Sequence, residues 1–264
     1  MPLSIAIAGK GGVGKTTVAA LLVRGLVESG TKPVLAVDAD PNSCLAEALG
    51  AEPGRTLAEI REKGSSAEGS PPGGGGRARA LRDEIARSVV EAEGFDLVTM
   101  GRPEGPRCYC YANTLLRQAL DELSRGYAAV VIDNEAGMEH LSRRTTSDVQ
   151  WLVVVTDPTL PALRAARRII ELSRELPVKI KRRAIVANRT PPGGPGGVFE
   201  KEVGELLASH GIERLPDIPQ DDALERAGAE GRDVLGLAGD APAVAAVARA
   251  LELLRAKAAV GRRS

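Results

Sequence analysis

The stretch LSIAIAGKGGVGKTTVAALLVRGLVES, Leu3 to Ser29, leaves the chain few ways to fold. An apolar run comes first, then a glycine-rich turn carrying two lysines, then a helical apolar period. Gly9–Thr16 fits the phosphate-loop pattern G-x-x-x-x-G-K-[ST], and it has the strand before it and the helix after it that the pattern needs. The chemistry explains the spacing. Glycines let the backbone curl until several N–H groups point at phosphate oxygens. A helix starting at Lys15 then sets its positive dipole end beneath them. Lys15 is placed to reach the β- and γ-phosphates of ATP, and the Thr16 hydroxyl to ligate Mg²⁺. The nucleotide-binding set read from the loop is Gly9, Lys10, Gly11, Gly12, Val13, Gly14, Lys15, Thr16 and Thr17.

The rest of the chain repeats strand and helix. Strands are expected at Leu3–Ala8, Val34–Val37, Phe95–Met100, Ala128–Ile132, Trp151–Thr156 and Arg183–Ala187. Most are apolar on successive residues, as strands covered on both faces of a parallel sheet are. Helices are expected at Lys15–Ser29, Ala80–Glu91, Tyr111–Ser124, Leu160–Arg174, Glu200–His210 and Ala243–Lys257. The alternation predicts an α/β fold with a doubly wound, mostly parallel sheet. GSSAEGSPPGGGG, Gly64–Gly76, reads as a surface insertion, because strands of one sheet lie on both sides of it; TPPGGPGG, Thr190–Gly197, is a shorter loop of the same kind. The expected organisation is a single domain over 1–258 with a frayed tail at 259–264.

Composition removes several functions. Net charge is zero and aromatics are 2% of the chain, which speaks against nucleic-acid binding. The N-terminal apolar run is too short for a signal peptide, and no stretch approaches the roughly 18 apolar residues of a spanning helix. Ala243–Lys257 has an apolar face of Val244, Val247, Leu251 and Leu254 without Phe or Trp, so it reads as a core-packing helix rather than a membrane anchor. The expectation is a cytoplasmic protein with no membrane partner.

With its second lysine, Lys10, GKGGVGKTT resembles the deviant Walker A motif of the MinD/ParA/nitrogenase-iron-protein class of ATPases. That resemblance implies ATP hydrolysis, with Lys10 crossing a two-fold dimer interface to the partner's nucleotide. DADPN, Asp38–Asn42, resembles switch I, which implies that Asp40 orients the attacking water and Asp38 lies near Mg²⁺. A carboxylate at the C-terminal end of a strand opposite a phosphate loop suits either task on general grounds. VVIDNEAG, Val130–Gly137, has the Walker B form, with Asp133 holding Mg²⁺ through water and Gly137 sensing the γ-phosphate. In ANR, Asn188 looks like the adenine-reading asparagine, and PDIPQDD, with Pro219, resembles the loop that closes over the base.

Two of the three cysteines, Cys108 and Cys110, share the segment GRPEGPRCYCYAN. In extended backbone, residues i and i+2 point the same way, so both thiolates can face one partner. Two thiolates leave a tetrahedral metal half-coordinated, and a two-fold axis beside the segment would supply the other pair. Such a four-sulfur site suits Zn²⁺ or Ni²⁺. Inert cysteines, a strained disulfide or redox pair, and a shared iron–sulfur cluster are the other readings. Cys44 reads as a small packed residue.

The combination of deviant Walker A, DADPN, GRPEGPRCYCYAN and IDNEAGMEHL is similar to the CooC family of nickel-insertion ATPases. The resemblance implies an ATP-driven homodimeric metallochaperone that binds Ni²⁺ (or Zn²⁺) between subunits through Cys108 and Cys110. The implied client is apo carbon monoxide dehydrogenase or the related acetyl-CoA synthase. Lys10, Lys15 and Asp40 would be its catalytic residues. The alternatives are an ATP-switched positioning protein of the MinD/ParA type without metal cargo, and an iron–sulfur reductase component.

Overall fold

Each central strand buries both of its faces. In β1 (Leu3–Gly9) all seven residues are buried, and in β2 (Val34–Ala39) and β5 (Ala129–Asn134) all six are. The computed structural model describes residues 2–60, 83–101, 121–135, 148–176 and 178–260. The remaining strands are β3 (Val90–Glu91), β4 (Asp96–Thr99), β6 (Asp148–Thr156), β7 (Lys179–Ala187) and β8 (Glu213–Arg214). All eight form one sheet in the order β3-β4-β2-β5-β1-β6-β7-β8. Every pairing is parallel except β3 with β4. The sequence-predicted fold is the one observed.

Side-chain alternation splits the core into two layers. Ile5, Ile7, Ala36, Val131, Trp151 and Val153 pack on one face with α1 (Lys15–Glu28) and α6 (Pro242–Val260). Ala6, Leu35, Val37, Val130, Leu152 and Val154 pack on the other, beneath α3 (Leu160–Leu172) and α4 (Gly197–His210). Two short helices, α2 (Leu45–Ala48) and α5 (Asp222–Ala229), lie toward the strand C-terminal ends. Val244, Val247, Leu251 and Leu254 of α6 are all buried against the first layer, as its apolar face predicts. Trp151 ties that helix down, its indole Nε1 donating to Leu254 O at 3.1 Å.

One expectation needs correction, and two elements were not foreseen. The helix expected to run to Glu91 ends at 88, and Val90–Glu91 instead pairs antiparallel with β4. The chain reverses at Gly94, whose φ of +89° belongs to a left-handed turn, and Ala92 N donates to Phe95 O at 2.9 Å. PDIPQDD, read as a loop, runs at Asp222 into α5. The two-residue β8 carries too little pattern to be seen from sequence. The insertion at 64–76, residues 102–120 with Cys108 and Cys110, Gly137, and 261–264 of the tail lie outside the described residues. Of the helix expected at Tyr111–Ser124, only 121–124 is described, and it is helical.

Arg24 is the main polar tie between α1 and the segment after α5. It is 4% exposed, and its guanidinium donates to Val234 O at 2.7 Å, Leu237 O at 2.9 Å and Glu28 Oε1 at 2.7 Å. Arg24→Met keeps the apolar stem but orphans both carbonyls. The expected loss is about 3 kcal/mol in urea unfolding, well beyond the few tenths of a surface substitution.

Candidate functional site

The loop Lys10–Gly14 is shaped by close approaches that exclude side chains. A Cβ on Gly9 would lie 2.4 Å from Val155 O, because β1 and β6 are paired there. Gly14 has φ +88°, and a Cβ on it would lie 2.3 Å from Asn188 Nδ2. Gly14 is also the N-cap of α1, and it makes no side-chain cap. The first turn of α1 holds no acidic residue, and the earliest helical bond is Val18 N to Gly14 O at 3.0 Å. The amides of Lys15, Thr16 and Thr17 thus precede the helical ladder at the positive end of the helix, a fit for phosphate oxygens. Lys15 is 7% exposed and its Nζ lies 3.5 Å from Lys10 O. Lys10, Gly11 and Gly12 are exposed, while Val13 is buried beneath the loop and Thr16 and Thr17 are half-buried.

Two carboxylates face this helix end from neighbouring strands. Asp38 of β2 and Asp133 of β5 are in register, and both are essentially fully buried. Among the described residues neither Asp133 oxygen has a geometric hydrogen-bond partner. Burial pushes its carboxyl up to about 7, opposed by the Thr16 hydroxyl and the Lys15 ammonium nearby. An unpartnered buried carboxylate beside a threonine hydroxyl fits Mg²⁺, which would supply the missing partner. Asp38 differs, since Oδ1 accepts from Asp40 N at 3.1 Å and Oδ2 from Leu45 N at 2.8 Å. Its carboxyl rises to about 6, burial outweighing those two backbone bonds. Asp38 therefore pins residues 40–45 against the sheet. Asp40 is half-buried, and its Oδ1 accepts from both Asn42 N and Asn42 Nδ2 at 2.9 Å.

Asn188 closes the loop from the end of β7. Its backbone N–H donates to Thr156 O at 2.7 Å, and its Nδ2 donates to Val13 O at 2.9 Å. The amide nitrogen thus ties β7 to the loop through one of its two hydrogens. Beside it opens a cleft of about 460 Å³, lined by Thr16, Thr17, Asn188, Pro219, α2 and α5. Pro219 is set in the wall by a parallel bridge to Thr190.

Sequence reasoning missed three residues here. Arg189 is exposed, has φ +56°, and donates to Gly12 O at 3.0 Å, so a guanidinium lies over the phosphate loop. Its place directly after Asn188 was the available signal. Asp221 is buried and caps two helices at once. Its Oδ1 accepts from Ala223 N at 2.9 Å and Leu224 N at 3.3 Å, and its Oδ2 accepts from Ala243 N at 3.0 Å. An aspartate just ahead of a helical run is an N-cap signature that QDDAL carries. Cys44, expected to be packed, is exposed and lines the cleft at the start of α2. It lies there as part of the 40–45 segment that Asp38 pins beside the cleft. Among the described residues no group of three or more His, Cys, Asp or Glu side chains could hold a metal, and no helix is long and apolar enough to cross a membrane.

Gly14→Ala should weaken nucleotide binding at least about 100-fold, because strained loop geometry displaces the phosphate amides. Far-UV circular dichroism should stay native, and titration with a fluorescent ATP analogue reads the loss.

Comparison with known proteins agrees with this geometry. A model of the CobQ/CobB/MinD/ParA nucleotide binding domain matches residues 4–234. An uncharacterized ATP-binding protein of Methanocaldococcus jannaschii is 47% identical over 217 residues, 81% of this chain and 83% of that protein. The carbon monoxide dehydrogenase accessory protein CooC of Rhodospirillum rubrum is 35% identical over 193 residues, 67% of this chain and 71% of that protein. The solved structure of the cell division protein MinD of Aquifex aeolicus superposes with a TM-score of 0.66 at 20% identity, covering 96% of each chain, a likeness of fold.

Proposed function

The chain belongs to the CobQ/CobB/MinD/ParA nucleotide-binding family and is a P-loop ATPase, and on that premise we propose that it is an ATP-driven metallochaperone for nickel. The observation that carries this reading is the Cys108-x-Cys110 pair in a chain 35% identical to a carbon monoxide dehydrogenase accessory protein. Gly101, which precedes the cysteine segment in the sequence, lies just beyond β4. Thr99 of that strand is in register with Asp38, and Asp38 with Asp133. Gly101 therefore lies at the nucleotide end of the sheet.

In the proposed cycle ATP lies across the amides of 10–17, with Lys15 on the β- and γ-phosphates and the base between Asn188 and Pro219. Mg²⁺, held by Thr16 and Asp133, would neutralise charge on the phosphates. Asp40 positions the attacking water, and Asp38 holds Asp40 in place through the backbone of the same segment. Two copies close face to face, and Lys10 of each reaches the other's phosphates. Closure brings two Cys108/Cys110 pairs together around one Ni²⁺ or Zn²⁺ as cargo. Hydrolysis removes the γ-phosphate contacts, the 40–45 segment relaxes, and the dimer releases metal to apo carbon monoxide dehydrogenase or acetyl-CoA synthase. Residues 1–258 act as one unit in this cycle.

Lys15→Ala should abolish ATP turnover. Asp40→Ala should retain ATP binding while slowing turnover at least about 100-fold, a loss of water placement. Both are measured by phosphate release. The reading itself is tested by activating nickel-free carbon monoxide dehydrogenase with Ni²⁺, ATP and this protein. Activation should fail with Lys15→Ala and with Cys108→Ala/Cys110→Ala, although the cysteine variant still turns over ATP. Equal activation by the cysteine variant would refute the cargo assignment.

A further inference from the structure

A second cleft, of about 410 Å³, opens near the strand-start end of β6 and β7. It lies seven residues from Asn188 along the β7 direction at Lys181, roughly 20 Å from the nucleotide end. Among its lining residues are Gln150, Trp151, Lys181, Arg182, Arg183 and Glu213. Three of these are Lys or Arg and one is acidic, in a chain whose net charge is zero. We propose that this cleft binds an extended acidic peptide segment of a partner protein. The inference stands on these residues alone and does not depend on the metal cargo.

The chemistry of the lining selects the ligand. Arg183 is committed to the fold, donating to Ser173 Oγ at 2.6 Å and Ser173 O at 2.9 Å. Arg182 is not held so firmly. Its guanidinium lies 5.8 Å from the Trp151 ring centroid, and its ion pair to Glu213 is long, at 3.8 Å. Glu213 has a closer cation in Lys257, at 2.5 Å. A carboxylate entering the cleft can therefore take Arg182 without leaving Glu213 unpaired. Lys181, exposed and also in the lining, adds to the positive potential of the cleft.

Gln150 supplies the independent observation. It is 7% exposed, and its Oε1 has no hydrogen-bond partner among the described residues. A buried carbonyl oxygen calls for a donor. An inorganic anion satisfies the cations but offers this oxygen nothing. A peptide bears both carboxylates and N–H groups. An extended segment fits because β8 joins β7 only from Ala184 on while β7 begins at Lys179, so the start of β7 borders the cleft, with Gly211 and Ile212 leading into β8 along its wall.

The test is fluorescence polarisation of the full chain with a labelled hexapeptide of alternating valine and glutamate, at low salt. Saturable binding is expected. Lys181→Glu and Arg182→Glu should each weaken it about tenfold or more, and Glu213→Gln should tighten it several-fold, removing a competitor for Arg182. Gln150→Leu should weaken it about threefold or more while keeping every charge. ATP turnover should be unchanged in all four variants, which also reports that they are folded. No saturable binding, or wild-type binding by both charge-reversed variants, overturns the proposal. Wild-type binding by Gln150→Leu overturns the peptide assignment in favour of a plain anion site. Light scattering that shows a dimer lost in Arg182→Glu also overturns it, since the occupant is then a second copy of this chain.

Discussion

Everything at the nucleotide end depends on one unbalanced pair of charges. The first turn of α1 has neither a side-chain cap nor an acid of its own, so its leading amides are left for an outside acceptor. Facing it, Asp133 is buried with both oxygens unpartnered among the described residues. A folded chain tolerates such a pair of deficits only where a ligand supplies what is missing. Phosphates answer the first and a divalent cation the second. The glycines of the loop, the register of β2 with β5, and the engagement of Asn188 with Val13 all serve to hold that unbalanced arrangement in place.

The surrounding structure is correspondingly stiff. Two apolar layers cover the sheet, and a few buried polar side chains join the segments that the layers do not reach. Arg24 holds the stretch from Val234 to Leu237 against α1. Asp221 fixes the starts of both α5 and α6. Asp38 fixes residues 40–45. Each of these holds a segment that lines the nucleotide cleft, through hydrogen bonds to main chain. The proposed relaxation after hydrolysis would begin at the Asp38-held segment, which Asp38 ties by two such bonds among the described residues.

How much of this the sequence reveals depends on how local the signal is. The β1–loop–α1 unit is legible because its glycines, lysine and flanking apolar runs are contiguous, and the structure reproduces it. Asp38 and Asp133 are legible as acids ending apolar strands, but their register, and the fact that one is saturated while the other is orphaned, depends on strand order. Asp221 and Arg24 act on partners 22 and more than 200 residues away, a separation no local pattern encodes. β3 was hidden because a short antiparallel return at Gly94 overrides the helical period leading to Glu91. Cys44 was misjudged because its exposure follows from the Asp38 pin, not from its own neighbourhood in the chain. The distal basic cleft was invisible for the same reason: KIKRR is an ordinary charged run until Gln150 and Glu213 are set beside it.

The central claim is that nucleotide-driven closure assembles a shared sulfur site from Cys108 and Cys110 of two subunits. The most direct measurement is anaerobic Ni²⁺ titration of the reduced, cluster-free protein with bound ATP, with molar mass followed by light scattering. The account predicts one metal per two chains and a shift to dimer, both lost in Cys108→Ala/Cys110→Ala. Metal binding that survives the double substitution, or that leaves the mass unchanged, would contradict it and leave an ATPase whose cargo is not held by these cysteines.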